Sequence, residues 1–446
     1  MQVGLGLLCA LLVWQIATRS LPAFLAKNHP HAALALRPSA SEPQLELAGK
    51  AAGTLLDDTV QLMDVGAAKA AEAAGLAQPA QVTAAPLASS EQIRAWAANA
   101  VASAPLSARG LAILGALNAQ AGDVKSAERF MSAAAARSLR ERAAVAWMMN
   151  ERFHAQDYNA ALRFADALAR SSPQSSQIIL PYLGRMAENP RSSARFTELM
   201  KRNPPWRATF FDRLTGNIAD ARTPLSLLLA LKTTNAPPTQ NELKAYSSLL
   251  MQNKQYDLAY NAWLQFLSPE QLAKAGFLFN GGFDFELSPF AFDWTPARGK
   301  GLLIDRAGRM QTAGGMALMI EFGGARVDPV LLTQTLMLPP GDYRFEGKYR
   351  GDARTRRGLS WSVRCLGQSA TINAPSDPRF GGEQPSWTPF SFTLSVPATD
   401  CRAQLLQLQL TAHSPSDTMA TGRLYLGELK IIKERVAGAS EDSQAQ

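Results

Sequence analysis

A chain of 446 residues has room for two or three domains. With 47% hydrophobic and 18% charged residues, its composition is that of an ordinary globular protein able to bury a core throughout. The net charge of +8 suits an acidic partner such as an anionic glycan or a phospholipid surface. Without an RNP motif, zinc knuckle or long basic arm, it gives no support to nucleic-acid binding.

The N-terminal residues 3–17 (VGLGLLCALLVWQIA) are apolar apart from Gln15, and residues 21–26 are apolar again after Arg19. A helix crossing a bilayer needs about 20 residues, so residues 1–26 are expected to form an uncleaved transmembrane anchor with Arg19 at the interface. A cleaved signal peptide is the rival reading. It would want a basic start and a small-x-small site, and no Lys or Arg precedes residue 19. Arg19 and Lys27 after the span would by charge alone hold the following part in the cytoplasm.

Residues 27–272 are rich in Ala, Leu, Arg, Glu and Gln and poor in β-branched residues, which predicts helices. Leu114-Gly115, Gly122-Asp123, Ala127, Met131 and Ala134 follow the pattern of a tetratricopeptide helix pair. Tyr158, Ala161, Ala165, Leu168 and Pro173 follow the second half of the next pair. Ala127 and Ala161 stand 34 residues apart, the tetratricopeptide period. A further pair is expected over residues 243–269, around Gln255-Tyr256, and a loop over 76–90. The region therefore resembles an irregular tetratricopeptide α-solenoid, which implies a concave surface for a protein partner. Arg191, Arg195, Lys201, Arg202, Arg207 and Arg213 read as a solvated basic face, with an acidic partner as the alternative.

From residue 277 the pattern changes to short alternating runs separated by Gly, Pro, Asp and Ser. Strands are expected over 316–322, 330–338, 343–349, 360–366, 390–396, 405–411 and 424–432. Residues 405–411 (LLQLQLT) and 343–349 (YRFEGKY) alternate most cleanly, as half-buried antiparallel strands do. Such strands suit a two-sheet β-sandwich over residues 277–434. Residues 435–446 form a polar, disordered tail. Cys365 and Cys401 lie on strands or strand ends of this region; they are a disulfide candidate, with two buried thiols as the alternative.

Asn280-Gly281-Gly282-Phe283-Asp284 followed by Trp294 resembles the opening of jelly-roll carbohydrate-binding modules. Residues 339–343 (PPGDY), Trp387 with Phe390 and Phe392, and residues 425–431 (YLGELKI) resemble that family's later strands. The resemblance implies a jelly roll that holds a glycan on flat aromatic faces, with polar groups for the hydroxyls. Trp294, Trp361, Trp387, Tyr349, Phe290 and Phe292 are the ring candidates, and a sandwich core competes for each of them. Trp361, Tyr349 and Arg350 are the expected glycan-binding residues. The basic segment holding Arg344, Lys348, Arg350, Arg354, Arg356, Arg357 and Arg364 suits an anionic polysaccharide, with a loop kept soluble by its charge as the alternative. Members of the family carry a structural calcium near the first and last strands, and the matching carboxylates are Asp284, Glu286 and Glu428. The usual Asp-Asp or Asp-Asn pair of the closing strand is replaced by Gly427-Glu428.

No HExxH, Walker loop, strand-associated GxGxxG or GxSxG elbow is present, and none of the four histidines has metal-ligand spacing. The sequence thus points to a non-enzymatic adaptor with an anchor in the bacterial inner membrane. The cysteine pair and the module resemblance place its soluble part in the periplasm. Its repeats would hold a protein and its sandwich a polysaccharide, as an accessory to surface or exopolysaccharide synthesis or export. The alternatives are a protein scaffold whose sandwich binds no sugar, and a carbohydrate-active enzyme with an unrecognised site.

Overall fold

The computed structural model describes residues 13–15, 20–57, 59, 88–171, 173–288, 290–307, 316–368, 371–372 and 380–434. Two compact units emerge, Met1–Pro238 and Thr239–Gln446. The division falls before the helix pair near residue 250, so that pair belongs to the unit that holds the strands.

The first unit is helical. α1 (Ser90–Ser103), α2 (Ala108–Gln120), α3 (Val124–Arg137), α4 (Arg142–His154) and α5 (Tyr158–Ser171) follow one another through short turns. The α2/α3 turn and the α4/α5 turn are built alike. Gly122 and Gln156 both take positive φ, then Asp123 and Asp157 each accept a backbone N–H three residues on, at 3.0 and 3.1 Å. Ala127, Met131 and Ala134 of α3 and Ala161 and Ala165 of α5 are fully buried. A Cβ on Gly115 would stand 2.8 Å from Met131 Cγ, so the glycine lets α2 and α3 approach closely. Of the basic cluster, Arg207 is not on a solvated face: it is 2% exposed and donates to the carbonyls of Ala236 and Pro237.

Among the described residues no helix is long and apolar enough to cross a membrane. This overturns the expected single-pass inner-membrane placement. Most of the expected span, residues 1–12 and 16–19, lies outside the described residues, as do most of the 76–90 loop and the 435–446 tail.

The second unit opens with α6 (Gln240–Gln252), α7 (Tyr256–Leu264) and α8 (Pro269–Ala273). Thr239 and Ser268 start α6 and α8 with reciprocal capping boxes. Among the described residues ten strands follow: β1 (Thr295–Pro296), β2 (Leu302–Ala307), β3 (Ala317–Arg326), β4 (Val330–Leu336), β5 (Gly341–Gly351), β6 (Arg354–Thr355), β7 (Leu359–Cys365), β8 (Gln384–Val396), β9 (Gln404–Leu410) and β10 (Met419–Lys433). A four-stranded sheet runs β1-β4-β9-β7. A six-stranded sheet runs β2-β3-β10-β5-β8, with β6 beside β10. All strand pairs are antiparallel. Both sheets send their alternate residues into one core, which includes Trp294, Trp361, Phe345, Leu408 and Leu426.

Cys365 ends β7 and Cys401 precedes β9. Their sulfurs are bonded, with Cα atoms 5.0 Å apart. The bridge spans 36 residues, including β8, and restricts the unfolded chain more than the folded one. The Cys365→Ser/Cys401→Ser pair of substitutions is therefore expected to lower stability by about 2–4 kcal/mol, read as a lower denaturant midpoint in urea. An unchanged midpoint would assign the bridge no stabilising role.

Candidate functional site

The segment before β1 is a knot of hydrogen bonds. Asn280, at positive φ, donates Nδ2 to Phe285 O at 3.0 Å and accepts from Phe285 N at 3.1 Å. Its carbonyl accepts the Trp294 indole N–H at 3.0 Å. Asp293 is 1% exposed and accepts the backbone N–H groups of Ser288 and Trp294 at 2.9 and 2.7 Å. Burial pushes its pKa up, while those N–H donors pull it back down. Leu429 N donates to Gly281 O at 3.0 Å, tying the segment to β10. The Asn-Gly-Gly-Phe-Asp run that carries the family resemblance is thus a structural joint in this chain.

Two of the three residues expected to meet a glycan face the core. Trp361 is 1% exposed, with its ring 6.0 Å from Trp294 and 5.0 Å from Phe345. Tyr349 is buried, edge-on to Phe380 at 4.7 Å. The alternation along β5 decides this. Tyr343, Phe345, Gly347 and Tyr349 share the inward face, while Arg344, Glu346, Lys348 and Arg350 share the outward one.

The three carboxylates expected at a calcium are not gathered. A guanidinium stands among the oxygens near the first strand. Arg306 of β2 donates Nε to Phe283 O and Nη2 to Asp284 O, each at 2.9 Å, and Nη1 to the Glu286 carboxylate. The Asp284 carboxylate pairs with Lys274 at 3.2 Å, and Glu428 with Lys348 at 2.7 Å. Among the described residues no three His, Cys, Asp or Glu side chains come together as a metal would need. Arg306 lies on a strand absent from the sequence-based expectation, and no local motif marks it.

Arg350, the third expected residue, stands on the outer face of the six-stranded sheet. Tyr425 of β10 is its partner in register. The Arg350 guanidinium lies 5.3 Å from the Tyr425 ring centre and 5.6 Å from that of Trp387 on β8, within cation–π range of both. Both rings are half-buried. Gly427 follows on β10, and a Cβ there would sit 3.5 Å from the Trp387 ring. The glycine thus leaves the indole room to lie over the strand. Ion pairs surround the cluster: Lys348 with Glu428, Arg423 with Glu321 at 2.9 Å, and Lys430 with Glu346 at 2.8 Å. The Lys430 hydrogen bond, ahead of the nearby cationic charges, holds Glu346 below the usual carboxylate range. Two flat rings around a guanidinium offer stacking surface and a planar, multi-donor cation for a carboxylate or sulfate oxygen. Sequence reasoning named Trp387 as a ring candidate but missed Tyr425. The parity of β10, with Leu424 and Leu426 inward, was the signal that it faces outward.

No family model matches this chain, and no curated protein matches it. Among solved structures, the chain is similar to a protein described as "CBM4 structure and function", at 13% identity and a TM-score of 0.27, over 35% of this chain and 99% of that one. It is similar to the CBM22-1 xylan-binding domain of Paenibacillus barcinonensis Xyn10C at 15% identity and a TM-score of 0.23, over 32% of this chain and 87% of that one. It is also similar to TmCBM61, solved in complex with β-1,4-galactotriose, at 15% identity and a TM-score of 0.24, over 36% and 99% of the two chains.

Proposed function

We propose that this chain is a non-enzymatic adaptor whose β-sandwich binds an anionic glycan at Trp387, Arg350 and Tyr425. Its helical region acts as a tetratricopeptide-like solenoid that holds a protein partner, and the pairing serves polysaccharide synthesis or export. The observation that carries the glycan reading is the stacked guanidinium on an open sheet face, with Lys348 and Arg423 on neighbouring outward positions. The repeated turn and the buried Ala127 and Ala161 support the solenoid reading. The non-enzymatic reading is supported by Asp293. This buried carboxylate of raised pKa is taken up by N–H donors of its own loop.

A protein scaffold that binds no sugar is the second reading. The burial of Trp294 and Trp361 favours it, because two large rings of the sandwich are spent on its core. Calorimetry of the full chain with alginate and with neutral dextran separates the two. Alginate is expected to bind, and Arg350→Ala and Trp387→Ala each to weaken it at least tenfold. The affinity should fall as salt rises, since the pairing is exposed. Absence of alginate binding, or equal affinity in both variants, would move the assignment to the scaffold.

A further inference from the structure

The segment 283–286 turns oxygens of three residues toward one side-chain cation. Arg306 stands on the edge strand β2, opposite Leu318 of β3. Leu302 and Ile304 of the same strand pack against the core. Arg306 shares their inward parity, and its side chain is 15% exposed. A charge so placed is costly unless its donors are met. They are met by the carbonyls of Phe283 and Asp284, each at 2.9 Å, and by the Glu286 carboxylate. A second cation stands on the same segment. Lys274 reaches the Asp284 carboxylate at 3.2 Å and lies 5.1 Å from the centre of the Phe285 ring.

The backbone here needs a holder. Phe283 is fully buried at φ +55°, a conformation that a bulky residue keeps only where its surroundings fix it. Its N–H donates to Asn280 O at 3.0 Å, and its carbonyl is fixed by Arg306 Nε. Successive carbonyls that converge on one group are satisfied together by a cation or by a fork of N–H donors. Calcium would take six to eight oxygens at about 2.3–2.6 Å. The residues present do not fit it. The guanidinium already holds both carbonyls and the Glu286 carboxylate, and its charge repels a second cation. Lys274 holds the Asp284 carboxylate, and Lys348 holds that of Glu428.

We infer that Arg306 takes the place of a structural divalent cation in this chain. It holds the opening segment to the edge of the six-stranded sheet, and the sandwich keeps its fold without calcium. The planar, permanently charged fork suits the task. Because the guanidinium is part of the chain, no chelator can remove it. On the anionic-glycan reading proposed above, this has a direct use. The carboxylates of a polyuronate are themselves calcium ligands, so a sandwich that depended on the ion would compete for it with its own ligand. The role of Arg306 stands without that reading, since it rests on the contacts of residues 283–286 alone.

The test is calorimetric melting of the full chain in millimolar EDTA and in millimolar calcium chloride, for the parent, Arg306→Ala, Arg306→Lys and Glu286→Gln. The parent is expected to melt at the same temperature in both. Arg306→Ala should lower the melting temperature by about 5 °C or more, through loss of charge-assisted hydrogen bonds in a unit of this size. Arg306→Lys, which keeps the charge without the fork, should fall between the two. Glu286→Gln should stay within about 1 °C of the parent, because that carboxylate is exposed and the carbonyls carry the joint. Calcium should recover part of the Arg306→Ala loss, since that variant frees the carbonyls and Glu286 for the ion. A parent that melts lower in EDTA, or higher in calcium, would overturn the assignment. The EDTA arm needs no variant, so it decides even if Arg306→Ala does not fold. An Arg306→Ala variant that melts like the parent would also overturn it. So would a loss in that variant that calcium leaves untouched, which would make Arg306 an ordinary tether, or an equal loss in Glu286→Gln, which would make it half of a surface ion pair. No glycan enters these melts, so their outcome is separate from that of the outer-face site.

Discussion

Trp361→Ala is expected to destabilise the β-sandwich by about 3–5 kcal/mol. For a unit of this size that is a fall of roughly 6–20 °C in melting temperature. The ring fills the space between the sheets, against Trp294 at 6.0 Å and Phe345 at 5.0 Å, and Leu359 and Val363 on the same strand are fully buried beside it. Truncation removes the apolar contact area and leaves a void that a close-packed core refills only in part. Trp361→Phe keeps an aromatic ring in the same layer and should cost much less. The two variants also decide between two roles. A binding platform would lose glycan affinity in Trp361→Ala with an unchanged melting temperature. A core residue loses stability first, and any affinity measured below the melting temperature stays near the parent value. An unchanged melting temperature would return Trp361 to the surface and refute its placement here.

The strand pattern was largely legible because it is local. Residues 405–411 and 343–349 alternate cleanly, and each expected run corresponds to a strand. The same alternation excluded Tyr349 as a platform, since it shares parity with Tyr343 and Phe345, while Arg350 falls on the opposite face. The rest of the site was not legible for a physical reason. Arg350, Trp387 and Tyr425 stand on three strands far apart in sequence, and only the register of β5 with β8 and β10 brings them together. The guanidinium of Arg306 among the oxygens of 283–286 is likewise a long-range pairing, with no spacing that announces it. In the helical unit, the turn at Gly122-Asp123 was readable because its cap is local. The burial of Arg207 was not, since its partners are carbonyls some thirty residues away.

The adjacent glycines of the opening segment should behave differently from each other, and the difference tests what the motif is for. A Cβ on Gly281 would lie 1.9 Å from the carbonyl oxygen of Leu429 and 2.9 Å from its carbon. Those atoms are backbone of β10, and Leu429 N donates to Gly281 O at 3.0 Å. No side chain is available to swing aside, so Gly281→Ala must push the segment off the closing strand. The expected cost is about 1–3 kcal/mol or more, as for overpacking in a fixed site, seen as a lower urea midpoint. Gly282 meets only the Asp284 carboxylate, at 3.4 Å and beyond, and is not among the positive-φ glycines. Gly282→Ala should therefore be neutral, or stabilise by about 0.4–1 kcal/mol through a less flexible unfolded chain. A ligand-binding role for the pair would give another pattern, in which either substitution lowers glycan affinity at unchanged stability. Steric dependence on Leu429 confined to the first glycine identifies the motif as the joint between the start and the end of the sandwich.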